Sequence, residues 1–301
     1  MNGIINVYKE KGYTSFDVVA KLRGILKERK IGHTGTLDPD ATGVLPVCVG
    51  KATKLCDMLT DKSKEYVAEL LLGVTTDTLD MTGNVLTESP VNVTVDEVRE
   101  VILGFVGTYD QIPPMYSALK VDGKKLYELA RNGQEIERTA RKVTIEEIEI
   151  LSIELPVIKM RVSCSKGTYI RSLCDDIGRK LGTGGAMQSL VRTRVSNFCL
   201  NEARTLLQIE ALRDLGELSK VLMPIDSVFM ELPAVQVKEN AERFLMNGNA
   251  LFFHQLKMLD GEGVKTMPQR VRVYDSKGKF SAIYQKKEDA YGPEKMFLGM
   301  E

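Results

Sequence analysis

The chain has 301 residues, 43% hydrophobic and 27% charged, with 41 basic residues balanced by 41 acidic ones. That is length enough for two ordinary domains with real cores, and a net charge of zero excludes a surface coated in basic charge while leaving room for a local basic face. Two histidines, His33 and His254, and five scattered cysteines without C-x-x-C spacing exclude a His-rich metal site, a zinc cluster and a disulfide framework.

Residues 4–8 (IINVY) read as a strand. Ser15 then caps a helix whose Val18, Val19, Leu22, Ile25 and Leu26 fall at helical spacing. Gly32 to Gly43 has no period and reads as a loop. Val44 to Val49 resumes a strand, in which Pro46 suits an edge or a bulge. Glu65 to Leu72 is a further strand, and TTDTLDMTG a polar loop. Thr94 and Glu97 form a capping box before a helix that runs through Leu103 and closes at Gly104. Val121-Asp122-Gly123-Lys124 signals a turn, after which LYELARNG is a short helix stopped by Gly133. Residues 143–164 alternate as two strands with a break at Pro156. Ile170, Leu173, Ile177 and Leu181 set a helix that ends at Gly182, and another helix is expected near 202–215.

Near residue 231 the character changes. LPAVQVKENAERFLMNG leads to VRVYDSKGKFSAIYQ, an alternating hairpin with a Gly-containing turn. The expected division is a domain over 1–230 and a small, mainly β domain of about 70 residues over 231–301. Strands and helices mix without a βαβ rhythm, so the fold class is α+β, with a central mixed, largely antiparallel sheet flanked by helices. No apolar run has the length of a membrane span. The start, MNGIINVYKEKGYTS, lacks the order of a signal peptide, so a cytoplasmic protein without membrane contact is expected.

The charges are segregated. KLRGILKERK (21–30) is mostly basic, and residues 123–142 carry Lys124, Lys125, Arg131, Arg138, Arg141 and Lys142. RSLCDDIGRK and VRTR add more, while acids gather in TIEEIEILSIE. Any one run reads as a solvated helix face; taken together, an RNA or phosphate footprint is an equal reading.

The stretch GHTGTLDPDATGVLP (32–46) is the chemical signal. Its D-x-D-x-T matches an aspartyl-phosphate motif, but that chemistry needs an apolar parallel strand directly before Asp38, and Gly32-His33-Thr34-Gly35-Thr36 is not one. As a phosphate-cradling loop it lacks G-K-[ST] and the nucleotide-binding glycine spacing. As an ordinary turn, Asp38 would simply cap before Pro39. The whole stretch closely resembles the catalytic motif of the TruB-type tRNA pseudouridine synthases. The resemblance continues in order through KEYVAELLLGVTTDTLDMTG (64–83), PPMYSALKVDGKKLYELAR (113–131) and SKGTYIRSLCDDIGRKLG (165–182). It covers about residues 3–230, and the tail resembles the family's RNA-binding PUA domain. Two departures stand out: Glu10 follows Lys9 where the family usually has proline, and Ser196 stands where it usually has glycine.

The resemblance implies isomerisation of one uridine, position 55 in the tRNA T loop, with the base flipped out and Asp38 as the only reacting carboxylate. It implies that Arg171 pairs with Asp38. Tyr66 would stack on the uracil and help remove its C5 proton, Tyr169 and Leu190 line the pocket, Lys9 touches the Asp38 loop or a phosphate, and His33 supports base extrusion without acting as general base. The reaction adds no water and changes no oxidation state, so no metal and no cofactor is expected. Residues 110–142 would clamp the T arm and the C-terminal domain would hold the acceptor end, with the chain acting as a monomer. The remaining alternatives are a phosphatase-like aspartyl enzyme and a non-catalytic RNA binder on the same scaffold. A pure binder has no use for a buried ion pair beside a stacking ring.

Overall fold

The computed structural model describes residues 1–121, 123–259 and 268–298. Asp122 of the expected turn lies outside them, as do residues 260–267 and 299–301 of the expected C-terminal domain.

Local chemistry sets most of the helices where the sequence places them. The helix Val95–Leu103 opens on the Thr94–Glu97 box and closes on Gly104, and Leu206–Asp214 opens on a second box between Thr205 and Gln208. The first helix, Ser15–Leu26, is capped by Thr14 rather than Ser15. Thr14 trades bonds with Asp17 in a box of its own, which frees the Ser15 hydroxyl for another task described below. The helix Ile170–Lys180 ends at Leu181, with Gly182 in the left-handed region at φ 73°.

The main sheet runs in the order Gly3–Lys9, Thr42–Val49, Gly185–Val195, Lys64–Leu72, Val157–Cys164, Arg141–Glu154 and Gly107–Gln111. All these pairings are antiparallel except that between Thr42–Val49 and Gly185–Val195, so the sheet is mixed and largely antiparallel. Gly32 and His33 are not loop, as expected, but part of a short strand, Ile31–His33, paired with Val47–Val49. Pro46 is neither at a sheet edge nor in a bulge. Its carbonyl accepts from the Thr34 N–H, and the Thr34 carbonyl, which a proline nitrogen cannot serve, accepts from Thr60 Oγ1 instead.

Alternation within the strands sends apolar side chains to both faces. Val98, Ile102, Leu173 and Ile177 of two helices cover Ala68, Leu70, Ile158, Met160 and Val162 on one part of the sheet. Val18, Leu22 and Ile209 cover Ile5, Val7, Leu45 and Val47 on another. Leu173 is fully buried, and its truncation to Ala is expected to cost about 2–5 kcal/mol.

A second sheet of six strands lies between Ala234 and Met296, including the hairpin Arg270–Tyr274 and Phe280–Lys287. It has its own core around Val235, Leu245, Val273 and Tyr284. A third cluster joins the two parts: Ile283 and Phe297 pack with Ile4, Val44, Val228 and Phe229.

Candidate active site

Between the short strand that ends at His33 and the strand that begins at Thr42, residues 34–41 have no ladder of their own, so their backbone groups must find partners elsewhere. They do. Ser15 Oγ accepts from the Leu37 N–H at 2.9 Å, and Thr60 Oγ1 donates to the Thr34 carbonyl at 2.9 Å. The Pro39 carbonyl accepts from the Gly12 N–H at 2.9 Å and from Lys9 Nζ at 3.0 Å. Gly43 closes the loop at φ 107°, where a Cβ would overlap the backbone of Arg192. Asp38 is thus carried on a loop fixed from several neighbouring elements.

Arg171, the second residue of the helix Ile170–Lys180, is buried and reaches Asp38 twice, with Nε 3.1 Å from Oδ2 and Nη2 3.3 Å from Oδ1. The rest of its guanidinium donates to the carbonyls of Thr78 at 3.1 Å and Tyr116 at 2.8 Å. Asp80 lies 3.7 Å from Arg171 Nε, its own Oδ1 tied to the hydroxyls of Thr78 and Thr82 and to the Thr82 N–H. The Asp38 side chain keeps 40% of its surface open, against 7% for Arg171. The ion pair is therefore buried on its arginine side only, and the Asp38 carboxylate is partly exposed. It is packed by protein on most sides and open on one.

Burial pushes the Asp38 carboxyl above its ordinary 3.8. Arg171 is the strongest force the other way, Asp80 adds to the rise, and Lys9 opposes it. Tyr66 is buried on the strand Lys64–Leu72 beside Leu37 and Leu190. Burial raises its phenol and the neighbouring Arg192 guanidinium opposes that; Asp38 also lies within electrostatic reach. Tyr169, half-buried at the start of the Arg171 helix, is clasped by Gln111 at its backbone N–H and carbonyl. Its phenol is likewise raised by burial, with Ser117 and Arg171 opposing.

The other expected residues divide. Lys9 is fully buried and spends its ammonium on the carbonyls of Glu10, Tyr13 and Pro39, so it touches the Asp38 loop and is not placed to meet a phosphate. Burial draws it down to about 8. Glu10, in place of the family's proline, supplies one of those carbonyls. Leu190 is buried in the core beneath the site. His33 is half-buried, its Nδ1 accepting from the Gly35 N–H at 3.3 Å, and burial and Arg192 push its ring below the ordinary 6.5. Ser196, in place of the family's glycine, turns the chain at φ 53°, a left-handed conformation costing about 1–2 kcal/mol for an L residue.

Two residues of the site have no role in the sequence reading. Asp80 lies in what reads as a polar loop, although the hydroxyls two places to either side, Thr78 and Thr82, are the sign of a carboxylate held in a turn. Arg192 belongs to VRTR, read as part of the basic footprint, and so does Arg171 in RSLCDDIGRK. Both are buried and face inward. Arg179 of the latter run is taken up by Asp175 and Asp176. Among the described residues no three Asp, Glu, His or Cys side chains gather as a metal site. Asp38 follows an antiparallel strand and an aperiodic turn, the wrong setting for an aspartyl-phosphate motif.

The mixed, largely antiparallel sheet that carries Asp38 on an anchored loop, paired with the buried Arg171 and within electrostatic reach of Tyr66, belongs to a pseudouridine synthase. Solved structures share the fold. The chain superposes on one chain of a Cbf5–Nop10–Gar1 complex with a TM-score of 0.74 and 30% identity, covering 98% of this chain and 85% of that one. It superposes on a chain of an H/ACA RNP bound to a substrate RNA containing 2'-deoxyuridine with a TM-score of 0.73 and 28% identity, covering 99% and 85%. Residues 23–170 match the model of the TruB family pseudouridylate synthase N-terminal domain, and residues 171–230 that of the tRNA pseudouridylate synthase B C-terminal domain. The tRNA pseudouridine synthase B of Lachnoclostridium phytofermentans is 58% identical over 99% of this chain and all of its own length. That of Clostridium kluyveri is 45% identical over 99% of this chain and all of its own length. The chain belongs to the TruB family of pseudouridylate synthases, whose activity is the isomerisation of uridine to pseudouridine in tRNA.

Proposed function

We propose that this protein converts the uridine at position 55, in the T loop of tRNA, to pseudouridine, with Asp38 as its single reacting carboxylate and without a cofactor. The observation that carries this is the Asp38–Arg171 pair, 3.1 Å apart on an anchored loop and within electrostatic reach of Tyr66. Hydrolytic glycosidases commonly need two carboxylates, one to protonate the leaving group and one to attack or activate water. Here the leaving uracil is kept and reused, and the product is an isomer of the substrate. The bond from N1 to the sugar C1′ breaks, a bond from C5 to C1′ forms, N1 gains a proton and C5 loses one. Asp38 serves either as nucleophile at C1′ or as base toward the neighbouring C2′ proton, and both roles require it ionised. Burial works against that charge, and Arg171 and Lys9 support it.

The target base must leave the folded loop, at a cost of a few kcal/mol that stacking and pocket contacts offset. Tyr66 and Tyr169 provide aromatic walls. His33, held neutral by burial and Arg192, suits the gap left by the extruded base. With the nucleotide in place the open side of Asp38 is covered, and the exclusion of water that the free protein lacks is supplied by substrate. The residues 110–142, with exposed Lys120, Lys124 and Arg131, grip the T-arm phosphates, and the domain over 231–301 holds the acceptor end. Asp38, Arg171, Tyr66 and Tyr169 all come from one chain, which supports action as a monomer. No helix among the described residues is long and apolar enough to cross a membrane, and with tRNA as substrate we place the reaction in the cytoplasm.

The test is to incubate the protein with an unmodified tRNA transcript and map pseudouridine along it, beside Asp38→Asn. We expect pseudouridine at position 55 alone, and a loss of at least about 10⁴-fold in the variant, in the range seen when a nucleophile is removed. Product at another position, or Asp38→Asn with wild-type turnover, sinks the assignment.

A further inference from the structure

Arg192 is the largest fully buried side chain among the described residues, at 1% exposure, and no bond-making step of the reaction above uses it. Its Nε donates to the Val44 carbonyl at 2.7 Å, Nη1 to Thr36 at 3.3 Å and Nη2 to Gly35 at 3.2 Å. These acceptors lie on both sides of Asp38 in the chain, so one planar group pins both arms of the loop. Its backbone is the strand partner of Gly43 on one side and of Tyr66 on the other. A register shift follows it, between Arg192 and Arg194, and a bulge of that kind re-aims side chains relative to a regular strand. The Tyr66 phenol faces the same guanidinium.

Burying an arginine is expensive, and an apolar side chain of similar volume would fill the space at less cost. Among the described residues no carboxylate lies within 4.0 Å of it to offset the charge. Its partners are carbonyl oxygens and a phenol. A guanidinium has five N–H donors in a rigid plane and can span acceptors on separate segments; an ammonium offers a single point.

We propose that Arg192 is the positioning residue of this site, fixing the Asp38 loop from beneath and setting the Tyr66 ring against it. The inference rests on the reaction assigned above and adds a residue that need not touch RNA. It accounts for the anchoring of a loop that has no ladder of its own between His33 and Thr42. It also accounts for Gly43, since only a residue without a Cβ lets the loop close on the Arg192 backbone.

The experiment compares wild type, Arg192→Lys and Arg192→Gln for thermal melting, tRNA affinity and single-turnover rate, and repeats the rates in a Tyr66→Phe background. The variants are expected to fold, to bind tRNA within about threefold of wild type, and to react about 100-fold more slowly, the cost of misplacing a reacting group by about 1 Å. The Tyr66→Phe effect should be smaller in the Arg192→Gln background than in wild type, because the phenol is already displaced. Gly43→Ala leaves Arg192 in place but forces the loop off it, and should also lose rate without losing affinity. A folded Arg192 variant within about twofold of the wild-type rate, additive effects with Tyr66→Phe, or wild-type kinetics in Gly43→Ala overturns the proposal. Failure of the wild-type protein to form pseudouridine sinks the underlying reading instead, so the two failures are told apart.

Discussion

The loop around Asp38 and the segment from Ile112 to Arg138 meet at one side chain, Arg171, yet they are held in opposite ways. The loop is anchored from several elements: buried Lys9, Ser15 and Arg192, together with Thr60 at the surface, take up its backbone groups. The other segment builds a small core of its own from Met115, Leu126 and Leu129, and its outer surface carries exposed Lys120, Lys124 and Arg131. Its ties to the main sheet region are few, among them Arg171 to the Tyr116 carbonyl and Ser172 to the Ile112 carbonyl. Fixed geometry serves bond making, where an ångström matters. A lightly tied basic segment serves a partner of different shape, because a region with few buried contacts reorganises at low cost.

The contrast can be broken at its shared point. Arg171→Ala removes the cation from Asp38 and the tether from Tyr116 together. We expect a fall of about 10³-fold in single-turnover rate, the range for deleting a group that steadies charge in a site. Affinity for tRNA should change far less. A variant that binds tRNA poorly but reacts normally once saturated would place Arg171 in the grip and not in the chemistry. The contrast is sharpened from the other side by changing Lys120, Lys124 and Arg131 together to Gln. Affinity is expected to fall about tenfold at physiological salt, and the slope of log affinity against log salt to flatten by about 2. The saturated rate should stay near wild type. An unchanged salt slope would remove these cations from the RNA-binding face.

Much of the frame was legible because its signals are local. The Thr94–Glu97 box, the alternation of 143–164 and Gly182 after a periodic run each act through neighbours in sequence. The first cap was misread by one residue, since Thr14 and Ser15 are both capping types and only the Asp17 three places on distinguishes them. The strand Gly185–Val195 lies mid-sheet between its two neighbours, yet its sequence carries no strand signal. Bulges between Met187 and Ser189 and between Arg192 and Arg194 break its period of two, and an arginine stands where an apolar residue would be expected. Asp38 and Arg171 are separated by 133 positions, and nothing in charge or spacing joins them; only the resemblance pairs them, and in the structure the two groups lie 3.1 Å apart. No local signal tells a buried arginine from an exposed one, so in sequence Arg192 is indistinguishable from the surface charges of VRTR.

The smallest expected effect asks whether burial or Arg171 dominates at Asp38. Held above its ordinary value in the folded state, this carboxyl binds its proton more tightly folded than unfolded. Its contribution to stability is therefore fully present below about pH 3.8, the ordinary value, and is lost as pH rises through the folded value. At neutral pH the ionised carboxylate is a load on the fold, even with Arg171 beside it. Asp38→Asn is thus expected to melt no lower than wild type at pH 7, with a gain of about 2 °C or less. The same group must be ionised to react, so the wild-type single-turnover rate should fall on acidification with a midpoint above 3.8, and Tyr66→Phe should leave that midpoint in place. Calorimetry at neutral pH and a rate profile over the acid range measure the two quantities independently. If Asp38→Asn melts several degrees lower and the acid limb lies below 3.8, attraction to Arg171 outweighs desolvation at this carboxylate, and the ion pair is a net support of the fold.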